Sequence, residues 1–430
     1  MRRRFSHLFA ALALLCPGLQ ATTLGTNTQA KPLPVSLAEG LAPDQRGAWT
    51  AYLRRSEILM AADKATLAAE LARLGKSQAK PAPKGKNAGL PLGKEASWYA
   101  SAEAQRLAVN VISFQVPSGG WSKNVDMTKA PRQPGQHYSC DNSSPVKTES
   151  GDFDPPRADN WAYLGTFDNG ATVAQLQFLA KCATALDVEK GARARAAYLK
   201  GLDYVLGAQM PNGGFPQVFP LMGGYHDAVT FNDNAMVGIL ELLRDIADAK
   251  EPHAWLGAEQ RAKAAAALQR GIDCVLACQI RQGDTLTVWS PQHDPITLAP
   301  CAGRNYEMPC ECSSESAELT LFLMSHPAPS AGIVRAVQAA EAWFRATKLD
   351  AEKVVQLGGK KPPAGEDRWS RFYELGTHRP IFGDRDRTIH DTLEEISRER
   401  QKGYGWFGGW GNRVLQHYPR WSRTHCGPSP

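Results

Sequence analysis

One loop recurs along this chain, each time directly after a stretch of helical periodicity. Residues 113–121 read Ser-Phe-Gln-Val-Pro-Ser-Gly-Gly-Trp, and residues 207–215 read Gly-Ala-Gln-Met-Pro-Asn-Gly-Gly-Phe. A degenerate copy starts at Ala277 and ends at Gly283, and Gly405 to Trp410 echoes the Gly-Gly-aromatic end. A repeat spaced this widely holds a helix hairpin and its loops, so the chain must stack hairpins side by side. The glycines have a structural explanation, since they allow positive φ after a helix. Trp121 and Lys123, just beyond them, are placed to face a ligand.

The periodicity predicts helices over about 44–74, 98–114, 169–186, 191–208, 234–248, 258–280, 314–325 and 330–346. Strand-like alternation is scarce and is clearest at Thr285–Ser290. The class is mostly α. Long aromatic loops around a central cleft favour an (α/α) toroid over an open solenoid.

The N-terminus reads as an export signal. Arg2, Arg3 and Arg4 precede an apolar run from Leu8 to Cys16, and Leu19-Gln20-Ala21 offers a cut before Thr22. A lipidated Cys16 is disfavoured by the bulky Leu15. No other run approaches the roughly 20 apolar residues a membrane helix needs. The expected division is a signal peptide over 1–21, a helical segment and Lys/Pro/Gly-rich linker over 22–96, and the toroid over 97–430. The protein is expected to be secreted or periplasmic, and a monomer. Eight cysteines beyond Cys16 then suggest disulfides. A zinc site at Cys310-Glu311-Cys312 lacks a second Cys-x-x-Cys pair. The formal net charge is +6, half of it from the leader's arginines. That permits an acidic substrate without demanding one.

Two turns carry the candidate acids. Thr166-Phe167-Asp168-Asn169 and Thr230-Phe231-Asn232-Asp233-Asn234 each precede an amphipathic helix. Asp and Asn there are ordinary N-caps. Each turn nevertheless holds more polar groups than one cap uses. In a toroid the helix mouths are neighbours, so Asp168 and Asp233 can approach and offer hard oxygens to calcium, though no EF-hand spacing is present. The basic groups are Arg304, in Arg304-Asn305-Tyr306-Glu307-Met308-Pro309, and five arginines within residues 368–387 threaded with aromatics. Guanidinium forks suit carboxylates. Nucleic acid is excluded as a partner because the basic charge is confined to one short segment of an exported chain. A polyuronic acid fits better.

In this order the motifs, Gly-Gly-Trp-Ser-Lys-Asn (119–124), Thr-Phe-Asp-Asn-Gly-Ala-Thr (166–172), Thr-Phe-Asn-Asp-Asn-Ala-Met (230–236), Arg-Asn-Tyr-Glu-Met-Pro (304–309) and the segment from Arg371 to Asp386, make the chain resemble polysaccharide lyase family 10, secreted pectate lyases. The likeness runs from about Trp49 to Gly411. It implies an (α/α) toroid with a calcium-dependent cleft for polygalacturonate, or pectin. Asp168 and Asp233 would hold Ca2+. Arg304 would be the base, and Lys123, Asn169, Arg371 and Arg385 would bind substrate. Asn234 stands where a second acid is expected, and Asp386-Arg387 where Asp-Gly is expected.

The reaction implied is β-elimination. Neighbouring cations would lower the Arg304 pKa, predicting an alkaline optimum. A hydrolase using Asp168/Asp233 or Glu307/Glu315, and a non-catalytic pectin-binding protein, are the alternatives. A terpenoid cyclase would need an Asp-rich motif and an apolar cavity, and neither is visible.

Overall fold

A computed structural model describes residues 23–85, 89–142, 161 and 163–426. The leader expected over 1–21 lies outside these residues. The described chain forms helices α1 (Pro43–Arg73), α2 (Ala102–Ser113), α3 (Val173–Ala185), α4 (Val188–Ala208), α5 (Ala235–Ala247) and α6 (Ala258–Cys278). These are followed by α7 (Ser313–Met324), α8 (Ala331–Ala346), α9 (Ala351–Gln356), α10 (Arg398–Gly403) and α11 (Trp410–His425). Side-chain caps set several starts. Ser101, Asp187 and Ser330 accept from the N–H groups of Ala104, Lys190 and Ile333 at 3.2, 2.8 and 3.3 Å. In α5, Met236, Ile239, Leu240, Leu243 and Ile246 form the buried stripe that fixes the helix in the core.

The helices pair as hairpins: α3 with α4, α5 with α6, α7 with α8. The first members, α3, α5 and α7, pack in succession as an inner layer, and α4, α6 and α8 form the outer one. This is the expected (α/α) toroid, with a ring of hairpins that is not closed into a barrel. Helix α1 joins the same core through Trp49, Tyr52 and Leu53. The segment read as a linker is strapped to the body, where Ala82 N–H donates to Ser139 O and Gly85 N–H to Asn124 O.

The repeated loop has a joining role. Gln115 Nε2 donates to Gly119 O at 2.8 Å in its own loop and to Ala197 O at 2.9 Å on α4. Gln209 does the same to Gly213 O and Ala267 O on α6, and Gln279 to Thr287 O and Ala336 O on α8. Each glutamine staples one hairpin to the outer helix of the next. Gly119 has φ 117°, and a Cβ there would sit 2.6 Å from Lys200 O, so the structural account of the glycines holds. Trp121 is a correction to the expected ligand-facing ring. It is fully buried, its Nε1 donating to Val111 O at 2.8 Å.

Two further expectations change. The strand at Thr285–Ser290 shrinks to Thr285–Leu286, paired with Arg281–Gln282. The expected disulfides are not formed: Cys140, Cys182, Cys274, Cys278, Cys301, Cys310, Cys312 and Cys426 are all free thiols, most of them buried. Cys274 and Cys278 share one helix with sulfurs 4.0 Å apart, twice the bond length of about 2 Å.

Candidate active site

The mouths of α3, α5 and α7 are built on one backbone scheme. Thr166 N–H donates to Trp121 O (2.9 Å), and Phe167 N–H to Gln217 O (3.0 Å). Thr230 donates to Phe215 O (3.0 Å), and Phe231 to Pro291 O (2.8 Å). Cys312 donates to Trp289 O (2.9 Å), and Ser313 to Arg371 O (3.0 Å). Each mouth is thus hung between an aromatic of one loop and the residue two beyond the aromatic of the next. In register, Asn169, Asp233 and Glu315 are equivalent positions.

The first two mouths share more than anchors. The short 310 turns Asp168–Gly170 and Asn232–Asn234 lie against each other. Asn169 and Gly170 have φ of 54° and 72°, and Asp233 and Asn234 have 52° and 58°. Asn, Asp and Gly are the residues that tolerate this left-handed conformation, which explains why acid and amide recur there. The capping reading fails, because Thr172 and Asn234, which precede α3 and α5, make no side-chain cap bond. The third mouth enters its helix at once, at Ser313.

The charges converge here. Lys123 Nζ pairs with Asp168 Oδ2 and rests 3.3 Å from the Tyr163 ring centroid. Asp168 Oδ1 is buried with no hydrogen-bond partner among the described residues. Arg371 Nη2 pairs with Glu315 Oε1 at 2.6 Å, and Cys312 Sγ lies 2.6 Å from Glu315 Oε2. Asp233 has no ion pair among the described residues and accepts only from Asn232, at 3.1 Å. It faces the open cleft, but protein crowds its carboxyl. That desolvation, then the charges of Asp168 and Glu315, push it up to about 7 against the pull of Arg304.

Arg304 forks onto Glu307, with Nε to Oε2 at 3.0 Å and Nη2 to Oε1 at 2.5 Å, and its backbone N–H adds a third bond at 2.8 Å. Tyr404 OH donates to Glu307 Oε1 at 2.8 Å. Burial would raise the Glu307 carboxyl, but Arg304 and these hydrogen bonds hold it down to about 2. The expected lowering of Arg304 is a correction. Burial lowers its pKa, but Glu307 together with Tyr306 and Tyr404 outweighs burial and holds the guanidinium well above its ordinary value. Arg385 lies to one side, on Glu399 at 3.0 Å, its guanidinium 5.3 Å from the Tyr306 ring that Arg304 also covers at 5.0 Å. Asn169, next to Asp168 in the chain, is exposed.

Tyr404 carries no signal in the sequence, which offers Glu315 only as a hydrolase carboxylate paired with Glu307. A signal for Glu315 exists: residues 289–300 and 369–380 share the pattern Trp-Ser-x-x-aromatic-acid-x-x-Thr-x-x-Pro, with His293 and Tyr373 at the ring position. That register places Arg371 opposite the third mouth. For a metal, the donors fit in kind. Asp168 Oδ1 and the Asp233 carboxyl are hard oxygens lacking a full counter-charge, as calcium prefers. Among the described residues no three His, Cys, Asp or Glu side chains form a metal-holding group, so other oxygens must complete a shell.

The pectic acid lyase family model matches residues 115–415. Two solved structures resemble the chain, both of the family 10 polysaccharide lyase from Cellvibrio cellulosa: the enzyme itself and an Asp-to-Ala mutant in complex with trigalacturonic acid. Each is 30% identical and covers 77% of this chain, with a TM-score of 0.61; 96% and 97% of those chains, respectively, are covered. No curated protein sequence matches significantly. With its toroid, its paired turns and a family match spanning most of its length, the chain belongs to the pectic acid lyase family.

Proposed function

We propose that this protein is a secreted, calcium-dependent pectate lyase that cleaves polygalacturonate by β-elimination to 4,5-unsaturated oligogalacturonates. The observation that carries this reading is the ring of cation–carboxylate pairs, Lys123–Asp168, Arg371–Glu315 and Arg304–Glu307, around the unpaired Asp233. A hydrolase needs two carboxyls with room for proton exchange. Here Glu307 and Glu315 are locked under arginines, and the cleft presents cations to an anionic sugar.

Asp168 and Asp233 would hold the calcium ion, together with uronate and water oxygens. When bound, the ion neutralises the uronate carboxylate and makes the C5 proton easier to remove. Lys123 and Arg371 orient carboxylates of the chain from two sides of Asp233. Arg304, its Nε and Nη2 fixed on Glu307, turns its remaining edge to the sugar. It takes the proton from C5, the electron pair forms the C4–C5 double bond, and the C4–O bond breaks with its pair on the leaving oxygen. Because Glu307 favours the charged guanidinium, the basic form is scarce at every ordinary pH. The rate should therefore climb about tenfold per pH unit on its alkaline limb.

The test is incubation with polygalacturonate, following the ultraviolet absorbance of the unsaturated uronate with and without a calcium chelator. Absorbance that appears with calcium and disappears with chelator supports the reading. The raised Asp233 carboxyl beside Asp168 favours one second reading, a hydrolase with Asp233 as general acid. Reducing ends without absorbance would select it.

A further inference from the structure

We infer that Glu315 is a positioning residue of this site, holding Arg371 for a sugar carboxylate in the way that Asp168 holds Lys123 at the other end of the same arc. The inference rests on the polyuronate reading above and adds a residue to it.

The argument is one of register. The residue two beyond each loop aromatic is Lys123, Gln217, Pro291 and Arg371, following Trp121, Phe215, Trp289 and Trp369. The last three, Gln217, Pro291 and Arg371, each offer a carbonyl to a helix mouth. Only the two terminal members are cations. Each is held by a carboxylate from the nearest mouth, Lys123 by Asp168 on the first and Arg371 by Glu315 on the third. The middle positions are neutral, and the middle mouth carries the unpaired Asp233.

Glu315 is 3% exposed. Its oxygens are committed: Oε1 to Arg371 at 2.6 Å, and Oε2 beside the Cys312 thiol at 2.6 Å. The thiol fixes the carboxylate plane, and the carboxylate fixes Nη2 of Arg371. The Tyr404 ring, 4.8 Å from the same guanidinium, limits its swing. Charge-assisted hydrogen bonds of this kind carry geometry as well as energy. The arc thus presents two carboxylate-binding cations, one on each flank of Asp233, each with its own buried counter-charge.

The experiment is calorimetric binding of trigalacturonate to the purified full chain, with kcat and KM on polygalacturonate alongside. The variants are Glu315→Gln, Arg371→Lys and the double variant, and calcium binding is titrated separately. Glu315→Gln should weaken trigalacturonate about tenfold, the difference between a charged and a neutral partner. KM should rise more than kcat falls, and calcium should still bind. The double variant should be no weaker than Arg371→Lys alone, because the two residues act as a unit. Glu315→Asp, which keeps the charge, should recover part of the loss, and a melting curve for each variant checks folding. Unchanged binding in Glu315→Gln, additive losses in the double variant, or loss of calcium would each overturn the inference. A wild-type chain that binds trigalacturonate but releases no unsaturated product from polygalacturonate would sink the lyase reading and leave this one standing. A wild-type chain that does not bind trigalacturonate would sink both.

Discussion

The loop 289–300 and the loop 369–380 are the same turn built twice, and they differ in chemistry. Trp289 and Trp369 each give their indole N–H to a helix carbonyl, at 2.7 and 2.9 Å. Ser290 N–H donates to His293 Nε2 at 3.0 Å, and Ser370 N–H to Tyr373 OH at 2.9 Å. Leu298 and His378 both sit at positive φ, 58° and 55°. Each loop also lays two residues antiparallel against a helix-mouth strand, Gln292–His293 on Val229–Thr230 and Phe372–Tyr373 on Glu311–Cys312. The scaffold is copied, but the residue that faces the mouth is not: Pro291 stands in one loop and Arg371 in the other. The fold repeats a cradle, and single side chains decide which cradles hold charge.

The sharpest way to break that comparison is to empty the charged cradle. Arg371→Ala removes the cation proposed to bind substrate and leaves Glu315 buried without its counter-charge. We expect kcat/KM to fall by about 100-fold or more and stability to drop by roughly 3 kcal/mol. Steady-state kinetics and a urea melt read both, and a variant of unchanged activity would break the account.

Next come the two carboxylates whose pKa values move in opposite directions. Glu307 is lowered to about 2, so its contribution to stability is present above its unfolded value. It is lost as pH falls from about 4.3 through 2, on the order of 3 kcal/mol in all. Asp233 is raised to about 7, so its folded form holds a proton that the unfolded chain has released. Its contribution therefore favours the fold at low pH and is lost as pH rises from about 4 through 7. Protons should also compete with calcium there, and calcium affinity measured by calorimetry should fall roughly tenfold from pH 8 to pH 6. An affinity flat across that range would mean that Asp233 does not hold the ion.

Smaller effects sharpen the picture. Tyr404→Phe deletes the hydroxyl that donates to Glu307 at 2.8 Å. It should cost about 1–2 kcal/mol in stability and lower kcat more than it raises KM. In the neutral cradle, Pro291→Ala keeps the carbonyl that receives Phe231 N–H at 2.8 Å. It should change kcat/KM less than twofold and stability by under about 1 kcal/mol. A Pro291 variant as damaging as the Arg371 variant would erase the distinction between the two loops.

Much of the fold was legible because helical period and the Gln-x-Pro-x-Gly-Gly loop are local signals. Helices α1 to α8 fall close to the expected spans, and Gln115, Gln209 and Gln279 turn out to be the staples that make the repeat a repeat. Helix α11 was missed because Pro419 lies inside it and its arginines and histidines leave it few apolar residues, although its period is clear. The two-residue strands were invisible because two residues cannot show alternation. In the site, the acid–amide turns were read as caps with spare oxygens. The left-handed φ of Asn169 and Asp233 shows that conformation, more than capping, selected those residue types. Glu315 was obscured because its mouth lacks the Thr-Phe signature, with Cys312-Ser313 in its place. The Arg304 pKa direction is not legible in the sequence, because the motif does not show that the Glu307 carboxylate, three residues on, folds back onto the guanidinium as its counter-charge.

The central claim is that this cleft performs a calcium-dependent elimination. The most direct test is the ultraviolet absorbance of unsaturated product from polygalacturonate, measured on wild type and Arg304→Ala with and without calcium. The account predicts product from wild type with calcium only, and about a thousandfold less from Arg304→Ala. Product that persists in chelator, or an Arg304→Ala rate near that of wild type, would contradict it.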